Sequence, residues 1–330
     1  MYEPSVKILF LSKKEIDSII TYEDVIRAVE DVFVADGNNQ LVMPAKDKMF
    51  LDDEKTNILM PMPSFLKNIN VAGMKWMRFF PKKPMGIPTL WGQLLILSDP
   101  VSGLPFAVMD ATTITDMRTS GGHAVVAARY LAKKDSKVLS VLGCGAQGRA
   151  GIISFDKNFD LDYIKVYNRK STSIEECKRF TDGKLRAKLL FVGSPEELME
   201  GTDILLSATT SRTPLVKSEW IPEGCLVNAM SSFYDVDPKI TKYADKWVLG
   251  HRFGDKIQIV DNPAIKPNLS YDDVYASLGE IICNRVKGRE NDKERIVFSH
   301  MGMGALDISV GKRIYDIAVE RGIGKKIRMI

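Results

Sequence analysis

A glycine-rich loop is the first stretch of this sequence whose residue types and spacing suggest a particular chemistry. The run GCGAQG at 143–148 fits the pattern GxGxxG, follows the apolar run KVLSVL and precedes a stretch with helical character. In a dinucleotide-binding loop the first glycine permits a tight turn, the second lets the backbone approach a pyrophosphate, and the third allows close helix–strand packing. The alternative is an ordinary glycine turn. The predicted cofactor contacts here are Gly143, Gly145, Ala146 and Gln147.

The end of the next apolar run, YIKVY, carries Asn168, Arg169 and Lys170. NAD-binding sheets usually place an acidic residue about 20 residues beyond the glycine loop, where it binds the ribose hydroxyls. A carboxylate would repel a 2′-phosphate, whereas an arginine binds one with a bidentate fork. The three residues therefore favour NADP(H) over NAD(H), with a solvated turn as the alternative.

Two later strand ends supply further candidate cofactor contacts. Thr209 and Thr210 follow the run ILLSA, and Met230 follows VNA. These positions in nucleotide-binding sheets often contact the ribose or the nicotinamide ring. A polar strand end without a ligand is the alternative for the two threonines.

Three cations suggest a site for a carboxylate. Lys75 lies within the apolar run VAGMKWM, Arg118 precedes Thr-Ser-Gly-Gly, and Lys46 follows Pro44 in MPAKDK. Burying a lone lysine costs several kcal/mol unless a counter-ion is present, and an anionic substrate would supply one. The alternative for Lys75 is a side chain that reaches solvent at the strand edge.

The elements that position these residues fall into two groups. Ile20–Val34 has helical spacing with Thr21 as N-cap, and 57–60, 71–80 and 93–97 have the character of strands of one sheet. Thr115–Ala132 is predicted to be one long helix. After it, strands alternate with helices, which predicts a doubly wound parallel sheet. The predicted strands are 137–142, 163–167, 188–192, 204–208, 225–229 and 246–249, and the last predicted helix is 304–321.

Length and composition are those of a two-domain globular protein. The chain has 330 residues, 45% hydrophobic and 27% charged, with a net charge of +4. That charge is too small to suggest a nucleic-acid partner. The four cysteines form no CxxC pair, so neither a metal site nor a disulfide framework is predicted. No signal peptide or apolar run of about 20 residues is evident, and we expect a cytoplasmic protein.

Several longer segments resemble a known family. They are MPMPSF at 60–65, AGMKWMRFFP at 72–81, GIPTLWGQLLILSDPVSGLPFAVMDA at 86–111, TDMRTSGGHAVVAARYLA at 115–132, VLGCGAQGRA at 141–150, VNAM at 227–230 and GMGALDI at 302–308. The chain is identified on these segments as a member of the ornithine cyclodeaminase/μ-crystallin family, which includes archaeal-type alanine dehydrogenases and ketimine reductases.

The resemblance implies an α/β architecture and a homodimer. A Rossmann domain would span 119–299, and a mixed α+β domain for substrate binding and dimerisation would comprise 1–118 and 300–330.

The resemblance also implies roles for individual residues. Lys75 resembles the family's active-site lysine, Arg118 its substrate-carboxylate arginine, and Thr89 a threonine that lines the same pocket. Lys46 stands where the family has an arginine, and lysine cannot form the planar fork, although nearby Lys48 could substitute.

Three groups of residues receive other interpretations. Arg78 lies three residues beyond Lys75, on the opposite face of an ideal strand, and is interpreted as structural. The three histidines are interpreted in the same way. Cys144 is given no redox role.

The loop after 225–229 departs from the family pattern. Cyclodeaminases and alanine dehydrogenases of the family carry an aspartate shortly after Asn-Ala, and a gap-free match puts Phe233 at that position. Asp235 would take the place only if the loop were remodelled. Ketimine-reductase-like members of the family also lack this aspartate, so Ser231 or Ser232 would face the pocket as a weak polar contact.

These residues predict an NAD(P)H-dependent reductase or dehydrogenase that transfers hydride to the carbon next to a carboxylate in a small imine or 2-keto acid. Two alternatives stay open at this point. One is an amino-acid cyclodeaminase that uses its bound nicotinamide as an internal redox shuttle. The other is a non-catalytic, crystallin-like NADP-binding protein.

Overall fold

The chain folds into two compact units in the computed structural model. Unit 1 comprises Met1–Arg118 and Met303–Ile330, and unit 2 comprises Thr119–Gly302. The described residues are 6–82, 84–230, 234–262 and 269–329.

Unit 1 contains a sheet with mixed strand directions. Its strands are β1 (Lys7–Leu11), β2 (Leu41–Val42), β3 (Met49–Phe50), β4 (Ile58–Leu66), β5 (Val71–Phe79), β6 (Leu94–Ser98), β7 (Pro105–Asp110) and β16 (Lys325–Arg328). Their order is β16-β1-β7-β6-β5-β4-β2, with β3 pairing to β4. The central strands β4 to β7 pair antiparallel. The prediction that 57–60, 71–80 and 93–97 belong to one sheet is confirmed.

The helices of unit 1 are α1 (Lys13–Ile19), α2 (Tyr22–Gly37), α3 (Thr112–Asp116) and α11 (Gly304–Arg321). Ser12 and Glu15 form a capping box at the start of α1. Thr21 caps α2, as predicted, because its side chain accepts the N–H of Asp24. The long C-terminal helix α11 packs against β4, β5 and β6. It therefore places its inner face directly on the strand that carries Lys75.

The predicted single helix over 115–132 is wrong in its start and in its regularity. The chain is helical from Thr112 in three consecutive segments, α3, a π-helix over Met117–His123, and α4 (Ala124–Leu131). Gly121 and Gly122 lie in the π-helical segment, where their low helix propensity weakens the α-helical alternative. Single π-helical turns are frequent at functional sites. Arg118 belongs to this segment.

Unit 2 is a sheet of parallel strands. They are β8 (Val138–Leu142), β9 (Tyr163–Tyr167), β10 (Lys188–Phe191), β11 (Ile204–Ser207), β12 (Leu226–Ala229), β13 (Lys246–Leu249), β14 (Ala276–Ser277) and β15 (Ile296–Ser299). Besides α4, its helices are α5 (Ala146–Asn158), α6 (Ser171–Thr181), α7 (Pro195–Met199), α8 (Ile240–Tyr243), α9 (Arg252–Asp255) and α10 (Leu278–Ile282). The strands β11, β12, β13 and β15 are buried along their whole length, as expected for a parallel sheet covered on both faces.

The strand order of unit 2 is β10-β9-β8-β11-β12-β15-β13-β14. Its first five strands, taken in chain order, follow 3-2-1-4-5, the doubly wound arrangement of dinucleotide-binding sheets. The order reverses between β8 and β11, and ligands of such sheets bind outside the carboxyl ends of the strands at that point. The glycine loop follows β8 and Thr209 follows β11, so the topology brings both to the switch point.

Candidate active site

A buried cluster of one lysine, one arginine, one threonine and one aspartate forms the charged centre of unit 1. The Lys75 ammonium donates to Oδ1 of Asp307 at 2.8 Å and to the Thr115 hydroxyl at 3.2 Å. Nε of Arg118 donates to the same Asp307 oxygen at 3.1 Å. The exposed fractions are 1% for the side chain of Lys75, 6% for that of Arg118 and 0% for that of Asp307. Two buried cations therefore share one carboxylate.

Glycines on α11 and β5 bring Asp307 to this position. A Cβ added to Gly304 would lie 2.5 Å from the Met62 carbonyl oxygen, and one added to Gly311 would lie 2.1 Å from Leu95 Cδ2. On β5, a Cβ at Gly73 would lie 2.5 Å from the Ile96 carbonyl oxygen and 3.2 Å from Ile308. Spacings of three and four residues put Gly304, Asp307 and Gly311 on one helix face. Because that face touches the sheet, the carboxylate meets Lys75.

Burial is the main influence on the protonation of Lys75. Loss of solvation lowers its pKa to about 8, with the positive charges of Arg118 and Lys46 acting in the same direction and the Asp307 carboxylate opposing them. At neutral pH the ammonium form still dominates. A lysine poised near 8 is suited to acid–base work at physiological pH.

Lys46 and Thr89 are the other predicted substrate contacts of unit 1, and the structure links Lys46 to this centre. Lys46 is half-buried and lies close enough to affect the charge of Lys75. Thr89 is half-buried, and its carbonyl accepts from Phe80 N at 3.3 Å. Nη1 of Arg78 donates to the carbonyls of Pro88, Thr89 and Trp91, at 3.0, 3.4 and 3.3 Å. Arg78 is thus a structural residue of the segment that carries Thr89.

The glycine loop of unit 2 has the backbone geometry of a phosphate-binding turn. Gly143 has φ +94, and a Cβ there would lie 2.8 Å from the Ala208 carbonyl oxygen. A Cβ on Gly148 would lie 2.0 Å from the Gly143 carbonyl oxygen, so the third glycine permits the close packing of α5. Gly145 is the N-cap of α5 without a side-chain cap, and a Cβ there would meet no atom within 4 Å. The open space at this helix start fits a pyrophosphate.

The remaining residues near the glycine loop have partners within unit 2. The Asn168 side chain links two loops, since Oδ1 accepts from Cys144 N at 3.3 Å and Nδ2 donates to the Lys170 carbonyl at 3.0 Å. Oε1 of Gln147 accepts the N–H of Ser120 in the π-helical segment at 3.2 Å. Ala146, Arg169 and Lys170 are exposed.

Asp235, the acid that a remodelled loop would have to supply, is bound to Thr209, which follows β11. Oδ2 of Asp235 accepts from N and Oγ1 of Thr209, at 3.2 and 2.9 Å, and the residue is fully buried. The carboxylate therefore fixes the end of β11. Thr210 is exposed, and Met230 donates its N–H to Ser207 O at 3.2 Å. The positions of Ser231, Ser232 and Phe233 lie outside the described residues.

The histidines have structural surroundings. The ring of His123 lies against those of Phe298 and His300, with centroids 5.1 and 3.5 Å away. Nδ1 of His300 accepts from Gly302 N at 2.6 Å. Nδ1 of His251 accepts from Gly254 N at 2.9 Å and caps α9. Within the described residues, no group of three or more His, Cys, Asp or Glu side chains is arranged to hold a metal ion.

Asp307 and Thr115 are the residues of the charged centre that the sequence patterns did not single out. The side-chain partners of Asp307 lie 189 and 232 residues away along the chain. A signal was available in GMGALDI, where an aspartate interrupts the apolar face of a helix. A charge on such a face needs a buried partner.

These features define one unit with a dinucleotide-binding fold and another unit with a buried cationic centre. A sequence model of the ornithine cyclodeaminase/mu-crystallin family matches residues 6–322. The chain belongs to this family, as the sequence predicted.

Relatives with an assigned activity match the chain over nearly its full length. It is 32% identical to the alanine dehydrogenase of Archaeoglobus fulgidus over 330 residues, 97% of this chain and 98% of the relative. The solved Delta(1)-pyrroline-2-carboxylate reductase of Thermococcus litoralis, in complex with NADH and L-proline, has 28% identity and a TM-score of 0.89 over 97% of this chain and 100% of its own. An archaeal alanine dehydrogenase dimer with bound NAD has 30% identity and a TM-score of 0.90 over 98% and 100%.

No helix in the described part of the chain combines the length and the apolar character that crossing a bilayer requires.

Proposed function

We propose that this chain reduces a small imine or 2-keto acid at the carbon next to a carboxylate, with unit 1 binding the substrate and unit 2 the nicotinamide cofactor. The chain is an NAD(P)-dependent oxidoreductase acting on CH–NH or C=N bonds, as predicted, because relatives across its whole length catalyse such reactions.

The observation that carries the proposal is the charge of the buried centre. Among the described residues, Lys75 and Arg118 both pair with one carboxylate, that of Asp307, which leaves a net positive charge in a site with little solvent. Uncompensated buried charge is costly, so the centre favours an anionic ligand. A substrate carboxylate supplies the missing charge, and the free edge of the Arg118 guanidinium has the geometry to bind it.

Each residue of the centre then has a role in the reaction. Arg118, assisted by Lys46, holds the carboxylate and orients the neighbouring carbon. Lys75 donates a hydrogen bond or a proton to the substrate nitrogen or oxygen as negative charge develops there. Thr115 and Asp307 fix the ammonium. The nicotinamide supplies the hydride when it is bound.

Reduction and the reverse oxidation should depend on pH in opposite ways. Burial lowers the pKa of Lys75 to about 8, so the free protein holds the acid form below that value and the base form above it. We expect kcat/KM for reduction to fall about tenfold per pH unit above this value, because reduction needs the acid. Oxidation of the amino acid needs the base and should rise over the same range. Profiles of kcat/KM in both directions check this, and a flat profile from pH 7 to 9.5 would contradict it.

A substrate panel tests the proposed function. The purified protein is mixed with NADPH or NADH and with Delta(1)-pyrroline-2-carboxylate, other cyclic imines, or pyruvate and ammonium, while the absorbance of the reduced nicotinamide is followed. The reverse reaction uses the corresponding amino acids with the oxidised cofactor. Steady cofactor oxidation with one substrate class supports the proposal.

The same panel decides between the alternatives. Proline and ammonia formed from ornithine without net consumption of cofactor would support a cyclodeaminase. Binding of cofactor without turnover of any compound would support a non-catalytic protein. The hydrogen bonds of Asp235 to Thr209 disfavour the cyclodeaminase, because they occupy the acid that a remodelled loop would have to supply.

We further propose that the preferred cofactor is NADP(H). Asn168 replaces the usual acidic residue, and Arg169 next to it is exposed and available for a 2′-phosphate. The two solved relatives carry NADH and NAD in their crystals. Direct measurement on this chain is therefore decisive.

Arg169→Ala should weaken NADPH binding by about 1–3 kcal/mol, the value of a lost charge-assisted hydrogen bond, and leave NADH binding unchanged. Fluorescence titration with each cofactor measures both affinities. Arg179→Ala is the matched control, since Arg179 is an exposed arginine on α6. Equal weakening of NADPH and NADH would remove the proposed role.

We propose a homodimer that forms through unit 1. Large apolar side chains of this unit are exposed, namely Met49, Phe50, Leu51, Trp91 and Leu94. A large exposed apolar patch on a folded unit is typical of an interface, and these side chains are its candidate members. The archaeal alanine dehydrogenase was solved as a dimer. Sedimentation equilibrium of the pure protein tests the proposal, and a monomer at micromolar concentration would contradict it.

A further inference from the structure

Asp307 differs from the other buried aspartates in what it binds. Asp156, Asp235 and Asp255 of unit 2 each accept backbone N–H groups, which is how a carboxylate stabilises loops and strand ends. The hydrogen bonds of Asp307 come instead from two side chains, Lys75 and Arg118, and both end on Oδ1. Its Oδ2 is buried and has no hydrogen-bond partner among the described residues. The hydrogen bonds of Asp307 therefore orient two cationic side chains and do not stabilise a loop or a strand end.

The position of Asp307 is rigid. It lies in the first turn of α11, where the helix dipole favours a carboxylate. Gly304 and Gly311 on the same face allow no gap between this helix and the sheet, as the short Cβ distances at both positions show. The carboxylate therefore has little freedom to shift. Its fixed position determines where the side chains of Lys75 and Arg118 lie when they bind it.

We propose that Asp307 is a positioning residue that fixes Lys75 and Arg118 relative to each other and keeps Lys75 in its acid form for the proposed reduction. The inference rests on the proposed function for its catalytic consequence. The charged groups that act on Lys75 are Asp307 on α11, Arg118 in the π-helical segment and Lys46, and among them Asp307 alone favours the ammonium. Without that carboxylate, burial and two cations would all drive Lys75 to the neutral amine.

The decisive variant is Asp307→Asn, which keeps the shape of the side chain and removes its charge. We expect the titration of the Lys75 amine to move at least one pH unit lower, and the basic limb of kcat/KM for reduction to move with it. On the basic limb, well above the wild-type pKa, reduction should then fall at least about tenfold, since one pKa unit is a tenfold change in the acid form there. A merely structural aspartate would lower activity without moving the limb.

Two further variants make the result specific. Asp307→Glu keeps the charge but moves the oxygens, so the limb should stay while kcat falls at least about tenfold through misalignment. Asp316→Asn is the matched control, because Asp316 lies on the same helix in an exposed pair with Lys312. It should change neither quantity. If Asp307→Asn does not fold, the glutamate variant decides, and wild-type kcat in that variant would overturn the inference.

The Lys75 titration is measured independently of any substrate. NMR of protein labelled with ¹⁵N at the lysine Nζ reports the midpoint, with the Lys75 signal assigned by its loss in Lys75→Arg. A lowered midpoint in Asp307→Asn supports the inference even if the substrate panel finds no reductase activity, in which case only the proposed function fails. An unchanged midpoint together with an unchanged limb overturns it.

Discussion

Arg118→Ala is expected to lower kcat/KM for reduction by about 10²–10⁴-fold, the range that corresponds to losing one side of a buried, hydrogen-bonded charge pair. The substitution removes the guanidinium that would bind the substrate carboxylate. It also leaves Lys75 and Asp307 as a balanced pair, so the positive charge that favours an anion disappears. Most of the effect should fall on KM, with a smaller loss in kcat from poorer alignment of the substrate.

Three measurements separate this role from a structural one. Cofactor affinity, followed by fluorescence titration, should be unchanged because the glycine loop belongs to unit 2. Arg118→Lys should recover part of the loss, since it restores the charge without the planar fork. Arg27→Ala should have wild-type kinetics, because Arg27 forms only an exposed pair with Glu23. Loss of cofactor binding together with activity would make Arg118 a folding residue.

The strands of unit 2 could be predicted from the sequence because the patterns that indicate them are local. Apolar runs broken by turns gave strands such as Tyr163–Tyr167 and Lys246–Leu249, whose observed bounds are the predicted ones. The glycine loop was recognisable for the same reason, since the close approach of Gly148 to the Gly143 carbonyl is a contact within the loop itself. Local spacing records such constraints directly.

Two features of the fold have no local sequence pattern that predicts them. The edge strand β16 (Lys325–Arg328) is exposed throughout and has the sequence KKIR, without the apolar alternation that marks a half-buried strand. The π-helical segment Met117–His123 differs from an α-helix only in its hydrogen-bond register, and the apolar spacing of 115–132 fits both. It is nevertheless the segment that places Arg118.

The carboxylate of the active centre was missed for a different reason. Lys75 was predicted to need a counter-ion, and the substrate was expected to supply it, whereas the protein supplies Asp307 from a position 232 residues away. The pairing is a tertiary contact that no local pattern encodes. The need for a substrate anion survives, because Arg118 brings a second positive charge to the same carboxylate.

Lys75→Met should lower kcat for reduction by about 10²–10⁴-fold at saturating substrate, the usual contribution of a positioned acid. It should also abolish the limb in kcat/KM near pH 8, because that limb is assigned to the Lys75 amine, whose pKa burial lowers to about 8. The physical reason is that methionine fills the lysine volume but cannot donate a proton. Lys75→Arg should keep substrate binding and lose the limb, since arginine carries the charge at all these pH values. Lys82→Met, which removes an exposed lysine paired with Glu54, is the matched control.

The stability of Lys75→Met distinguishes catalysis from structure. Burial lowers the pKa of Lys75 from 10.5 to about 8, so holding the ammonium in the folded state costs on the order of 3 kcal/mol at neutral pH. Below the folded pKa this cost is fully present, and it is relieved as pH rises toward the unfolded value. Methionine removes it, while Asp307 keeps Arg118 as its partner. Urea unfolding at pH 7 should therefore show Lys75→Met to be at least as stable as the wild type, even though it is nearly inactive. A variant that loses stability and keeps its turnover would mean that Lys75 supports the fold and not the reaction.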